Sequence, residues 1–278
     1  MTGLTLIASY PKSGNTWMRA FIASHLHGGR AININADLSL IPNLTSRPLQ
    51  DFHAGLEHAD LTPEEVALIR PWTSRRIAET HPGIYKTHDS HLVPPGAREP
   101  AIPPDAIDRA VYLIRDPRDV AVSLAHHLGR SLSEGVDMVS DAQFRMGRSR
   151  SHLNVNVEHW LSSWSAHVES WLNAADVRLL RLRYEDMLAE PLESFTRLCR
   201  FLELDDAPDA VGRSLDAGSF GALAAQEGRA GFRERYRSST APFFRAGRAG
   251  GWRETLPPEL AERVAAAHSR VMTHMGYA

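Results

Sequence analysis

The sequence predicts an α/β fold, a single domain in which a central, largely parallel sheet carries helices on both faces. Three observations support this prediction. Short apolar runs typical of buried strands alternate along the chain with longer segments of helical periodicity. Two of these runs lead directly through a polar loop into a helix, a succession typical of parallel sheets. The first of the two loops has the form of a P-loop-like phosphate-binding loop.

The composition is that of an ordinary globular protein. The chain has 278 residues, of which 43% are hydrophobic and 23% charged, so we expect one domain over residues 1–278 with irregular insertions near 31–82 and 129–156. The net charge of −2 gives no general attraction to nucleic acid or acidic membranes. No targeting segment is recognisable, and no run approaches the roughly 18 apolar residues of a membrane span. We therefore expect a cytoplasmic protein.

The first loop follows the apolar run at residues 4–8 and leads into a helix near Trp17. A strand, loop and helix in this order point backbone N–H groups and the positive helix end at one place, where an anion binds. Lys12 adds a full charge there, and Gly14 permits close backbone approach. The side chains suited to bond phosphate oxygens are Ser13, Asn15 and Thr16. The Walker pattern G-x-x-x-x-G-K-[ST] is absent, and an ordinary strand-to-helix turn stays open at this point.

A second strand-loop-helix unit begins with the apolar strand at residues 110–115. Asp116 is suited to be the N-cap of the following helix, Pro117 its first residue and Asp119 the acidic partner of the capping arrangement. Arg115, at the strand end, can present a planar guanidinium to a phosphate. The alternative for Arg115 is an ion pair with Asp119.

The other segments follow the same alternation. Residues 31–82 show helix fragments such as 63–69, and the polar stretch at 129–156 predicts a mobile loop or lid. An amphipathic helix is expected over 157–173, with an aromatic stripe that packs in the core. The lone cysteine, Cys199, occupies a buried helix position in this reading. Further predictions are strands at 83–87 and 177–183, helices starting at Pro191 and covering 209–215 and 258–274, and an Arg- and Gly-rich loop at 228–251.

Three separated motifs resemble those of PAPS-dependent sulfotransferases of the cytosolic type, which transfer a sulfonyl group from 3′-phosphoadenosine 5′-phosphosulfate (PAPS) to a hydroxyl or amine. Residues 10–17 resemble the family's 5′-phosphosulfate loop, and residues 115–123 resemble its 3′-phosphate motif. Residues 245–252 resemble its late glycine-rich motif. Secondary matches lie at 86–88 and 182–186, so the resemblance extends over essentially the whole chain.

The resemblance implies how PAPS is bound. Arg115 and Ser123 would contact the 3′ phosphate, and Arg245 and Gly247 would close over it. Three aromatic residues would surround the adenine by stacking, although core packing is the alternative for each of them: Trp17, Tyr184 and Phe220. The sequence departs from the family at position 246, where alanine stands in place of a common lysine. Either Arg248 supplies that charge or it is a solvated loop arginine.

The candidate general base is His88. Residues two apart on a strand share a face, so Lys86 and His88 would project together from the strand at 83–87. A neutral imidazole with an unperturbed pKa of about 6.5 can accept a hydroxyl proton near neutral pH. Lys12 and Lys86 would stabilise charge on the sulfonyl and leaving oxygens, with Ser123 as a second candidate near the bridging oxygen. No cluster with metal-ligand spacing is evident, so no metal is expected.

The predicted function is transfer of a sulfonyl group from PAPS to a phenol or alcohol of a small-molecule acceptor, with a sulfate ester and 3′,5′-ADP as products. Two alternatives stay open: a nucleotide-dependent phosphotransferase, because Lys12 and Arg115 would also suit ATP, and a nucleotide-binding protein without catalysis. The Ala- and Arg-rich composition resembles bacterial members that modify natural products, including glycopeptide antibiotics. Neither nucleic acid nor membrane is an expected partner, and a homodimer stays open.

Overall fold

A computed structural model describes residues 3–147, 153–239 and 241–277 of the chain. Its strands are β1 (Leu4–Ser9), β2 (Gly83–Thr87), β3 (Ile107–Ile114), β4 (Arg145–Met146), β5 (His159–Trp160) and β6 (Leu179–Arg183). Its helices are α1 (Asn15–Leu26), α2 (Arg47–Ala54), α3 (Pro63–Thr80), α4 (Pro117–Leu128), α5 (Leu132–Ser140), α6 (Trp164–Leu172), α7 (Tyr184–Ala189), α8 (Pro191–Leu202), α9 (Pro208–Ala217), α10 (Phe220–Ala230), α11 (Trp252–Thr255) and α12 (Pro258–His274). Short 3₁₀ helices lie at Asp37–Leu40, His58–Asp60 and Pro104–Ala106.

The main sheet has four strands in the order β2-β1-β3-β6. β1 pairs in parallel with β2, and Ala8 lies opposite Thr87 in this pairing. All of β1 and the last six residues of β3 are buried. Strands covered on both faces are nearly continuous apolar runs, which is why these two are conspicuous in the sequence. The predicted central parallel sheet flanked by helices is confirmed.

The chain forms two compact units. The first consists of Met1–Tyr10, Pro42–Tyr112 and Ser140–Leu179. Its core includes the fully buried Trp164 and Trp171, so the predicted packing role of the aromatic stripe is confirmed for these two residues. The second consists of Pro11–Ile41, Leu113–Val139 and Leu180–Ala278. In its core the rings of Phe21 and Phe195 lie 4.4 Å apart.

Local capping determines several helix starts. At α4, Asp116 accepts a hydrogen bond from the Arg118 N–H at 2.9 Å, and Pro117 is the first helical residue, so both predictions are confirmed. At α3, Thr62 and Glu65 form a reciprocal capping box. Such caps satisfy N–H groups that have no partner within the helix.

The structure differs from the sequence-based prediction in three segments. The helix expected over 157–173 covers only α6, because Ser163 caps it and residues 159–160 form β5 instead. The stretch at 129–156 contains α5 in place of a continuous irregular lid, and Ser131 and Glu134 pair at its start as in a capping box. Residues 148–152 of this stretch lie outside the described residues. α10 extends to Ala230 and so enters the loop expected at 228–251. Cys199 is buried within α8, as expected.

Candidate functional site

The loop that follows β1 enters the second unit at Pro11 and is bent by two residues with left-handed backbone. Lys12 has a φ of 70° and Gly14 a φ of 100°. A Cβ on Gly14 would lie 2.8 Å from Cδ2 of Tyr184, so glycine is required there. For Lys12 the left-handed conformation costs about 1–2 kcal/mol. Strain of this kind is concentrated at functional sites.

Ser13 lies between these two residues and is completely buried. Its Oγ has no hydrogen-bond partner among the described residues. An unpaired buried hydroxyl costs about 1–3 kcal/mol, so it calls for a partner. A phosphate oxygen at the start of α1 would supply one, with the buried Asn15 and the half-buried Thr16 following directly in the chain. The loop therefore fits the predicted phosphate group.

Arg115 lies just beyond β3 and connects this loop to the late segment, which we define as residues 241–252. Its Nη1 donates to the backbone oxygen of Lys12 at 3.1 Å, and its Nη2 donates to the backbone oxygen of Arg248 at 3.0 Å. The guanidinium carbon also lies 4.3 Å from the ring centroid of Tyr184. One arginine thus holds the backbone of both segments.

Asp119 attaches the late segment to α4. Its Oδ2 accepts from the Gly250 N–H at 2.7 Å, and its Oδ1 accepts from the Trp252 N–H at 2.9 Å. The predicted capping role of Asp119 is therefore wrong, because a distant segment takes both carboxylate oxygens. The alternative ion pair with Arg115 is present as a longer contact of 3.7 Å.

Three arginines gather at the late segment: Arg115, Arg245 and Arg248. The pKa of Arg245 is lowered by partial burial of its guanidinium and by repulsion from Arg115 and Arg248. Like charges gathered at one place favour a bound anion. The guanidinium of Arg248 forms an exposed ion pair with Glu254, at 3.0 Å between Nη1 and Oε1. Arg248 is thus engaged by a carboxylate and does not simply replace the charge missing at Ala246.

The three predicted adenine-stacking residues also lie in the second unit. Trp17 and Tyr184 meet edge to face with their centroids 6.1 Å apart, and Trp17 also packs on Phe195 at 5.1 Å. Phe220 is 38% exposed at the start of α10. Gly247 has a φ of 58°, and a Cβ there would lie 2.4 Å from the Phe220 ring. Gly247 and Phe220 therefore form one surface that a larger residue would disrupt.

Every residue that the sequence predicts to bind PAPS belongs to the second unit: Lys12, Ser13, Gly14, Asn15, Thr16, Trp17, Arg115, Ser123, Tyr184, Phe220, Arg245 and Gly247. Ser123 is half-buried on α4. Its contact with a phosphate stays a prediction.

His88 belongs to the first unit and directly follows β2. Its Nδ1 lies 2.8 Å from the backbone oxygen of Ser9 and 3.2 Å from the Ser9 hydroxyl. Because a carbonyl oxygen only accepts, Nδ1 carries the proton and Nε2 carries the lone pair. As the strand spacing predicts, Lys86 and His88 are half-buried, whereas Thr87 between them is fully buried.

The local environment changes the acidity of His88. Burial is the main cause that lowers its pKa to about 3, and the charge of Lys86 contributes in the same direction. The expectation of a pKa near the unperturbed value of about 6.5 is therefore wrong. The imidazole is neutral at any physiological pH, so it is available as a base but is a weak one until a nearby negative charge raises its pKa.

His167 supports the backbone of His88 from α6. Its Nε2 lies 3.1 Å from the backbone oxygen of His88, and its Nδ1 lies 2.7 Å from the Tyr112 hydroxyl. The acceptor carbonyl requires the proton on Nε2, so Tyr112 donates to Nδ1. Burial lowers the pKa of His167 to about 4. A second neutral imidazole thus holds the peptide that carries the first.

Asp89 forms a buried ion pair with Arg70 of α3. The two contacts measure 2.6 and 2.8 Å, and Thr87 donates to the same carboxylate at 2.9 Å. Burial acts to raise the pKa of Asp89, but the charge and hydrogen bonds of Arg70 outweigh it and lower the pKa. Since Thr87 and Asp89 flank His88, this network holds the chain on both sides of the candidate base.

Sequence reasoning missed Arg70, Asp89 and His167. Arg70 lies in a predicted insertion, and its partner is 19 residues away in the sequence. His167 lies in an otherwise apolar stripe of a predicted helix. Two features of the sequence could have indicated these residues: the polar His167 within an apolar stripe, and Asp89 directly after the candidate base.

Lysine is almost absent from the chain. Among 31 lysines and arginines, the two lysines are Lys12 and Lys86. Lys12 follows the end of β1 by three residues, and Lys86 is the penultimate residue of β2. Arginine supplies positive charge at all other basic positions. Lysine at these two positions therefore indicates a role that needs a compact ammonium group.

Two absences hold for residues 3–147, 153–239 and 241–277. Within them, no group of three or more His, Cys, Asp or Glu side chains is placed to hold a metal ion. No helix in the same ranges is both long enough and apolar enough to cross a bilayer.

Comparisons with known proteins agree over nearly the whole chain. A family model described as "Sulfotransferase domain" matches residues 4–276. The chain is 26% identical over 276 residues to cytosolic sulfotransferase 16 of Arabidopsis thaliana, covering 93% of this chain and 73% of that protein. It is 26% identical over 277 residues to sulfotransferase 1E1 of Mus musculus, covering 93% and 79%.

Solved structures show the same fold. A retinol dehydratase in complex with androsterone and the inactive cofactor PAP is similar with a TM-score of 0.63 and 20% identity, over 97% of this chain and 80% of that one. Mouse sulfotransferase SULT7A1 complexed with PAP is similar with a TM-score of 0.60 and 17% identity, over 98% and 85%. At these identities the similarity concerns the fold.

The family match favours the sulfotransferase prediction over both the phosphotransferase and the non-catalytic alternatives. The relatives named above are plant and mammalian proteins, so they do not support the predicted bacterial origin. Because the family model spans nearly all residues, this chain belongs to the sulfotransferase family and is a PAPS-dependent enzyme that transfers a sulfonyl group to a hydroxyl acceptor.

Proposed function

We propose that the second unit binds PAPS through the residues named by its motifs. Residues 12–16 hold the 5′-phosphosulfate, with the buried Ser13 hydroxyl donating to a phosphate oxygen. Arg115 and Arg245 hold the 3′ phosphate, and the backbone at Gly247 closes beside it. The observation that carries this proposal is the fully buried Ser13 hydroxyl, which has no hydrogen-bond partner among the described residues and lies just before α1, where a phosphate oxygen would supply one.

The remaining second-unit residues complete the proposed nucleotide site. Ser123 donates its hydroxyl to the 3′ phosphate and is the second candidate for contact near the bridging oxygen. Trp17, Tyr184 and Phe220 contact the adenine. The exposed face of Phe220 suits stacking best, since Tyr184 already packs on Arg115.

In the proposed chemistry, Nε2 of His88 takes the proton of the acceptor hydroxyl while the acceptor oxygen bonds to sulfur. The bond from sulfur to the bridging phosphate oxygen breaks, and its electron pair stays on 3′,5′-ADP. Lys12 and Lys86 stabilise the negative charge on the sulfonyl and bridging oxygens. Negative charge beside His88 also raises the pKa of the imidazole from its depressed value, which strengthens it as a base.

For the acceptor we propose a phenol or alcohol on a small natural product, with bacterial glycopeptides as one class. The Ala- and Arg-rich composition supports this assignment. The structure of a retinol dehydratase solved with androsterone supports a small-molecule acceptor in this fold. We also propose a cytoplasmic location, in keeping with relatives named as cytosolic, and no nucleic-acid or membrane partner.

A comparison of ligands by thermal shift tests the nucleotide site. We expect 3′,5′-ADP to raise the Tm more than ADP or ATP, since a ligand at a hundredfold excess over its Kd adds about 2.7 kcal/mol of stability. Arg115→Met should remove the preference for 3′,5′-ADP. The matched control is Arg263→Met, which alters an exposed arginine of α12 paired with Asp137. Stabilisation by ATP alone would contradict the assignment, and a panel of acceptors with labelled PAPS then identifies the substrate class.

A further inference from the structure

A buried carboxylate holds the start of the late segment. Glu227 of α10 is only 7% exposed, and its two oxygens accept from the N–H groups of Phe243 and Phe244 at 2.7 and 2.9 Å. Hydrogen bonds to an ionised carboxylate are roughly twice as strong as neutral ones. They offset the cost of burying this charge, and they orient the backbone of both phenylalanines.

The ring of Phe243 is fixed by other aromatic groups. It meets Phe232 edge to face at 4.8 Å, Phe244 at 5.2 Å and His127 at 5.5 Å. Its face lies under the side chain of Lys12, whose Nζ is 3.7 Å from the ring centroid. An ammonium at this distance over an aromatic face is attracted by the negative charge of the π system.

Lys12 is thus held at both ends. Arg115 donates to its backbone oxygen, and Phe243 attracts its ammonium group. Both partners belong to the part of the second unit proposed to bind the 3′ phosphate, since Phe243 stands two residues before Arg245. The conformation of the lysine is therefore coupled to the elements that hold the far end of the co-substrate.

We propose that Phe243 is a positioning residue for Lys12, and that Glu227 acts through Phe243 by orienting its ring. The inference rests on the proposed role of Lys12 in stabilising charge on the transferring group. The Lys12 ammonium group is then in place before the transition state is reached. A preorganised charge stabilises the transition state more than the charge of a lysine that must first move into position.

Three substitutions test this by separating kcat from binding. Phe243→Leu keeps apolar volume but removes the π face, so kcat should fall about 5- to 30-fold while the Kd for 3′,5′-ADP changes little. Phe243→Tyr retains the face and should recover most of the lost rate. Glu227→Gln keeps one acceptor oxygen, so its kcat should lie between that of the wild type and that of Phe243→Leu. Phe52→Leu, at an exposed phenylalanine of α2, is the matched control without effect.

A spectroscopic measurement makes the test independent of turnover. Reductive methylation with ¹³C-formaldehyde labels the side chains of Lys12 and Lys86, which Lys12→Arg and Lys86→Arg samples assign. Ring current should displace the Lys12 resonance upfield in wild type and in Phe243→Tyr. The displacement should disappear in Phe243→Leu.

The outcomes separate this inference from the proposed function. A wild-type protein that turns over PAPS, with a Phe243→Leu variant that keeps its kcat and its Lys12 resonance, would overturn the positioning role alone. A Phe243→Leu variant whose binding and Tm fall together with kcat would also overturn it, because the ring would then be a general packing element. A wild-type protein that neither binds 3′,5′-ADP nor uses PAPS would overturn the proposed function itself.

Discussion

The region around Arg115 and the region around His88 treat charge differently. The first gathers like charges, whereas the second holds groups that are neutral or paired with an opposite charge. In the second unit, burial and repulsion from Arg115 and Arg248 lower the pKa of Arg245, so like charges are gathered there. In the first unit, burial keeps His88 and His167 neutral, and the charges of Arg70 and Asp89 compensate each other in a buried pair.

The difference agrees with the role that we propose for each region. A site for a multiply charged anion needs positive charge that the protein itself does not fully compensate. A proton acceptor has to be neutral before the reaction, which desolvation ensures. One chain thus uses crowding of like charges in one region and exclusion of water in the other.

The largest expected effect is on kcat, and it distinguishes the proposed catalysis at His88 from the proposed nucleotide binding by the second unit. His88→Ala should lower kcat roughly 10²- to 10⁴-fold through loss of the proposed general base, whereas the Kd for 3′,5′-ADP should stay unchanged because we propose that the second unit binds that ligand. Initial rates with labelled PAPS and calorimetric titration measure the two quantities. His81→Ala, at an exposed histidine, is the control. Normal turnover by His88→Ala would disprove the base assignment.

The next effect concerns stability. Asp89→Asn leaves the buried guanidinium of Arg70 without its counter-charge and should lower the free energy of unfolding by about 3–5 kcal/mol. The matched change Asp137→Asn breaks an exposed pair with Arg263 and should cost about 0–1 kcal/mol. Denaturant titrations of both variants measure the difference. Equal losses would show that burial does not distinguish the two ion pairs.

The smallest effect is a pH dependence of stability. The folded-state pKa values of about 3 for His88 and about 4 for His167 lie below the unfolded value, so the unfolded chain binds more protons as the pH falls below 6.5. Each histidine should remove about 2 kcal/mol of stability by pH 5, relative to neutral pH.

Denaturant titrations between pH 5 and 8 measure this slope. A His167→Gln variant, which cannot titrate, should show a shallower decline. If the unfolding free energy of the wild type fell with pH no more steeply than that of the variant, the assignment of His167 as a buried neutral group would be contradicted.

Sequence alone predicts the second-unit region well because its signals are local. The loop at residues 12–16 and the start of α4 each consist of neighbouring residues whose geometry follows from a strand end, a glycine or a cap. Even α5 carries a readable signal, the Ser131 and Glu134 pair, although the polar composition around it favours a loop.

The first-unit region is poorly predicted because its properties depend on tertiary packing. The ion pair of Arg70 and Asp89 joins α3 to the end of β2, and no local pattern specifies that contact. The pKa of His88 is set by burial, which the sequence of one strand does not reveal. Asp119 shows the same limit in the second unit, since its partners Gly250 and Trp252 lie far away in the chain.

The scarcity of lysine has a practical consequence. Reagents that acylate amines or form imines with them are ordinarily unselective, because most proteins present many lysines on their surface. Here the side-chain amines are confined to Lys12 and Lys86. An acceptor-like molecule bearing an aldehyde would therefore become an affinity label for this enzyme, and its point of attachment would identify which lysine the bound molecule approaches.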